Sequence, residues 1–67
     1  MSDNTTRDGI EVKPGQVWRD LDKRVHRTVT VERIEGRFAY VTSTNGAKSR
    51  IQIARMHKHA HGFALVS

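Results

Sequence analysis

The chain contains no cysteine among its 67 residues, which excludes disulfides and thiolate metal sites and suits a reducing compartment. Apolar runs are short. None approaches the length needed to span a bilayer, and the polar stretch Met1 to Arg7 lacks the apolar segment of a secretion signal. These features predict a cytoplasmic protein that does not engage a membrane. Acidic residues are missing altogether from positions 36 to 67. Catalysis by a serine, histidine and acid grouping therefore has no local basis at Ser43 or Ser49, because the carboxylates gather near the N-terminus and around Asp20 and Asp22. The expectation is a protein that is not an enzyme and needs no cofactor.

A chain this short has room for one core, and it buries only about 60% of the surface that its unfolded form exposes. Its stability is correspondingly slim.

The formal net charge is +5, and its distribution says more than its total. Residues 1 to 35 balance all seven acids against seven bases, whereas the remainder carries Arg37, Lys48, Arg50, Arg55 and Lys58 and three of the four histidines. A one-sided basic half fits a polyanionic partner. It also fits a solvated face that keeps a small domain dispersed.

Residues 1–12 are rich in Ser, Asp, Asn, Thr and Gly, and the expectation is a flexible tail outside the fold, with one domain over 13–67. Lys13-Pro14-Gly15 is a turn signal that launches a strand at Gln16 to Arg19. A charged loop, Asp20 to His26, follows. Arg27 to Glu35 alternates Val29 and Val31 with Thr28, Thr30 and Glu32, a strand pattern. Ile34 falls out of phase with Val31, so both reach the core only through a bulge or bend near Glu32 and Arg33. Phe38 to Ser43 forms the next strand, and Asn45-Gly46 reverses the chain.

A three-residue loop, Asn45-Gly46-Ala47, would pair Val41 with Ile51, Ala39 with Ile53, Tyr40 with Gln52 and Thr42 with Arg50. It separates an apolar face from an outer face bearing Phe38, Tyr40, Lys48 and Arg50. A short turn over Ala54 to Met56 and a last strand at Phe63 to Val66 complete the chain. The expected core is Val17, Val29, Val31, Ile34, Ala39, Val41, Ile51, Ile53, Met56, Phe63 and Leu65.

The succession from Pro14-Gly15-Gln16-Val17-Trp18, through a bent strand, the Asn45-Gly46 hairpin and a one-turn link to Gly62-Phe63, resembles an SH3-like barrel of the KOW or Tudor-like kind. Lys13 to Val66 is also similar to small proteins of actinobacteria and their phages, which contribute no function. The resemblance implies an all-β fold, a small five-stranded barrel. Members of that wider architecture bind RNA, DNA, peptides or modified tails. With only four Phe, Trp and Tyr rings, the chain has no recognisable cage for a methylated lysine.

Phe38 and Tyr40 beside Lys48 and Arg50 combine rings that stack on bases with cations that hold phosphates. Arg37, Arg55 and Lys58 extend the basic set. The plainer role of the two rings is to fill strand positions. Trp18 is either a lid over the core, with its N–H bonded at the rim, or an exposed anchor for a protein partner. His57, His59 and His61 alternate, but without cysteine or a nearby carboxylate the expectation is a solvated basic loop and no metal site. The leading expectation is a nucleic-acid-binding module for DNA or RNA, monomeric or weakly dimeric. The alternative is an adaptor, or a phage-encoded inhibitor, that docks on a host protein through Trp18 or a strand edge.

Overall fold

The computed structural model describes residues 4–24, 27–59 and 62–67. Val25 and His26 of the charged loop and His61 of the histidine run lie outside the described residues. The fold is all-β. Among the described residues five strands, β1 (Val17–Asp20), β2 (Thr28–Glu35), β3 (Phe38–Ser43), β4 (Lys48–Gln52) and β5 (Phe63–Leu65), form one antiparallel sheet in the order β4-β3-β2-β1-β5. A 3₁₀ turn, Ile53–Arg55, follows β4 directly.

Alternation explains most of the core. Val29 and Val31 of β2, Ala39 and Val41 of β3, and Ile51 of β4 all point inward and meet Ile53, Met56 and Phe63. In β2 the register shifts between Val31 and Arg33, so that Val31 faces Val41 while Arg33 faces Tyr40. This irregularity keeps Ile34 packed against the core despite its odd spacing from Val31.

The hairpin between β3 and β4 departs from expectation by one residue of loop. The Gly46 N–H donates to the Ser43 carbonyl at 2.9 Å, and the Ser43 N–H donates to the Ala47 carbonyl at 2.8 Å. The loop is thus Thr44-Asn45-Gly46, not Asn45-Gly46-Ala47. Gly46 takes φ 89°, the left-handed position that ends a type I turn of this length. The Asn45 Oδ1 accepts from the Ala47 N–H at 3.0 Å, which selects this turn. Val41 therefore faces Ser49, Ala39 faces Ile51, Tyr40 faces Arg50 and Thr42 faces Lys48. Moving the loop by one slides the partner strand by two, and a slide of two preserves the faces. Val41 and Ile51 remain buried, and Arg50 remains exposed.

Strand β1 runs in the opposite phase to the one expected. Trp18 is wholly buried, which turns Val17 partly outward and brings Asp20 inward. The larger ring sets the phase because it removes more apolar surface from water than valine does. Asp20, 8% exposed, is satisfied by the Arg27 Nε at 3.2 Å and the Asp22 N–H at 2.9 Å. Leu65 faces Trp18 but is 38% exposed, because β5 is an outermost strand with a neighbour on one flank.

Residues 4–12 are part of the fold, which corrects the expected tail. A bridge joins Thr5 to Glu11, the Val12 N–H donates to the Asn4 carbonyl at 2.8 Å, and Val12 lies wholly within the core. Gln16 fastens this arm to the buried ring of Trp18: its Nε2 donates to the Glu11 carbonyl at 3.1 Å, and its Oε1 accepts from the Trp18 indole at 3.2 Å. Ile10-Glu11-Val12 alternates apolar and polar residues, the signal that betrays the segment.

Candidate nucleic-acid interface

The outer face of β2, β3 and β4 is laid out in rows by the ladder. Thr30, Thr42 and Lys48 form one row, Arg33, Tyr40 and Arg50 the next, and Glu35, Phe38 and Gln52 the third. The β2 irregularity puts Arg33 in this arrangement. Its guanidinium lies 4.1 Å from the centroid of the Tyr40 ring, and that of Arg50 lies 4.6 Å from the centroid of Phe38. Arg50 thus faces Tyr40 across the ladder yet stacks on the diagonal ring, a reach that antiparallel geometry permits.

The cations differ in how they are committed. Arg33 pairs with Glu35 on its own strand, and that hydrogen bond raises its pKa above the ordinary arginine value. Arg24 is raised in the same manner by its hydrogen bond to Asp22, and Arg27 is bonded to Asp20. Lys48, Arg50 and Arg55 have no carboxylate partner among the described residues. They stand along β4 and the 3₁₀ turn that continues it.

Two depressions adjoin this line. One, of about 390 Å³, is bounded by Arg33, Tyr40, Thr42, Lys48 and Arg50, with Glu32 as its one carboxylate. The other, of about 440 Å³, lies around Phe38, Arg50, Arg55 and Phe63, with Arg24 and Arg27 beside Asp20 and Asp22. Arg50 borders both. In each, cations outnumber carboxylates, so the local field favours an anion.

Of the expected site residues, Phe38, Tyr40, Lys48 and Arg50 come together on one face, and Arg55 joins them through the second depression. Arg37 and Lys58 border neither depression. The Arg37 carbonyl accepts from the Ile53 N–H at 2.9 Å, which ties the β2–β3 turn to the 3₁₀ turn. The Lys58 N–H donates to Asp8 at 3.2 Å, so this residue holds the N-terminal arm. His57 and His59 stack with ring centroids 4.3 Å apart. Among the described residues no three metal-binding side chains converge. Trp18, the expected protein anchor, is buried and bonded to Gln16, so its ring presents no surface to a partner.

Arg33 is the residue that sequence reasoning missed. Its signal was present: an inward Ile34 after a bulge requires an outward Arg33 opposite Tyr40. No family model, curated protein or solved structure matches the chain.

Proposed function

We propose that this chain is a small, non-enzymatic binding module built as an SH3-like barrel, and that the outer face of its β3–β4 hairpin holds nucleic acid. The strand order β4-β3-β2-β1-β5, the irregular β2 and the 3₁₀ turn before β5 support the barrel. The observation that carries the function is the line of cations with no carboxylate partner among the described residues, Lys48, Arg50 and Arg55, running beside the half-buried rings of Tyr40 and Phe38. Cations neutralise phosphates, and rings together with guanidinium planes stack on bases. A binding role rather than a catalytic one is supported by the Ser43 hydroxyl, which is engaged with Asn45 and Ala47 in its own turn, and by the pairing of Asp20 and Asp22 with arginines.

A protein-docking role through Trp18 loses its basis with the burial of that ring. Its other form, strand addition, has two outer strands to use, β4 and β5, and on β4 Lys48 and Arg50 are the kind of charged edge residues that discourage a further strand.

Affinity for a random oligonucleotide is expected to fall steeply with salt. Arg50→Ala should weaken binding to all sequences about equally, lower the magnitude of the log–log salt slope by about 0.7 to 0.9, and leave the melting transition in place. Fluorescence anisotropy over a salt series measures both effects. A protein that shows no binding at low salt would refute the proposal.

A further inference from the structure

We infer that the ligand of this face is a single strand and not a duplex, its phosphates following β4 and its bases turned onto β3; this rests on the nucleic-acid proposal above. Spacing decides it. Phe38 and Tyr40 are two residues apart on one strand, which sets them about 6.7 Å from one another. That is roughly double the 3.4 Å step between stacked bases along one strand of a duplex. Neighbouring bases that remain stacked cannot occupy both rings, whereas an extended strand can.

The layout across the sheet agrees. Lys48 and Arg50 repeat at the same interval on β4, and adjacent strands lie about 4.8 Å apart. A cationic track and an aromatic track therefore run side by side in matching steps, and Arg55 prolongs the first beyond Gln52. The rings are half-buried on the outer face of the sheet, so they are reached by an exposed base face and not by a groove edge. Each ring already carries a guanidinium over one face. An incoming base either displaces that group or stacks on its outer plane, and both need an unstacked base.

The test compares a short single-stranded DNA, the RNA of the same sequence and the matching DNA duplex at fixed low salt. The better-bound single strand is expected to bind at least about tenfold tighter than the duplex, with a log–log salt slope of about −1.4 to −2.1 for two or three neutralised phosphates. Tyr40→Ala should lower single-strand affinity about 5- to 150-fold without changing that slope, and should leave duplex affinity nearly unchanged. Tyr40→Leu, which retains an apolar strand residue, replaces it if the alanine variant does not fold. Equal or tighter duplex binding, or equal loss for both forms on removing the ring, overturns the single-strand assignment while leaving nucleic-acid binding intact. Failure of every oligonucleotide to bind refutes the underlying function and the inference with it.

Discussion

Trp18→Ala is expected to cost about 3–5 kcal/mol, a cost typical of emptying a buried aromatic site. A domain of this length has roughly 3–10 kcal/mol of stability in total. The variant should therefore be largely unfolded or melt far below the parent. Trp18 is the largest fully buried side chain, its neighbours across the ladder are Val29 and Leu65, and its indole N–H ends on Gln16, which also accepts from the Lys13 N–H at 2.8 Å. Losing the ring thus opens a cavity and loosens the anchor of the N-terminal arm together. Urea denaturation followed by circular dichroism measures the change. Trp18→Phe, which keeps most of the apolar volume, should retain both the fold and oligonucleotide binding. A Trp18→Ala variant with parental stability but lost protein binding would restore the ring as an interaction anchor.

Gly62→Ala is expected to be nearly as severe, at about 3 kcal/mol or more, the upper part of the range for overpacking. The chain before β5 folds back tightly: the Phe63 N–H donates to the His57 carbonyl at 3.0 Å, and the Gly62 N–H donates to the His59 carbonyl at 3.0 Å. A methyl group on Gly62 would collide with the His57 carbonyl oxygen, a backbone atom with no side-chain freedom to yield. Relieving that clash means giving up the hydrogen bond that starts β5 and seats Phe63 in the core. Thermal melting measures the loss. A Gly62→Ala protein with an unchanged melting temperature would show that the turn takes another path.

The strands were legible because their apolar residues alternate. Val29 and Val31, Ala39 and Val41, and Ile51 fall inward where the period of two puts them, and the break in β2 follows from the position of Ile34. Three features were harder to read. Trp18 follows Val17 directly, so alternation allows either phase, and only the larger gain from burying the indole decides between them. That choice also internalises Asp20, a residue that reads as a surface charge until Arg27 is brought beside it. The N-terminal arm looks like a polar tail by composition, and its membership of the core depends on Val12, with Ile10 packed beside it, meeting a surface made by distant strands.

The candidate site was legible in its parity and not in its pairs. Any hairpin register differing by two residues puts Phe38, Tyr40, Lys48 and Arg50 on one face. Which ring meets which cation depends on whether the turn begins at Ser43 or one residue later. The Asn45 side chain, accepting from the Ala47 N–H, decides this locally. Arg37 and Lys58 counted toward the basic half in the sequence, but their backbones serve as ties to the 3₁₀ turn and to Asp8. Charge counting along a chain cannot separate a cation facing a ligand from one facing solvent.

Amide-resonance mapping of the full chain during titration with a short single-stranded oligonucleotide tests the proposed interface most directly. Binding through this face predicts that the largest shifts fall on Arg33, Phe38, Tyr40, Thr42, Lys48, Arg50 and Arg55, with the arm over 4–12 and strand β1 little changed. Shifts concentrated on that arm or on β1 and β5, with Tyr40 and Arg50 unmoved at saturation, would contradict it.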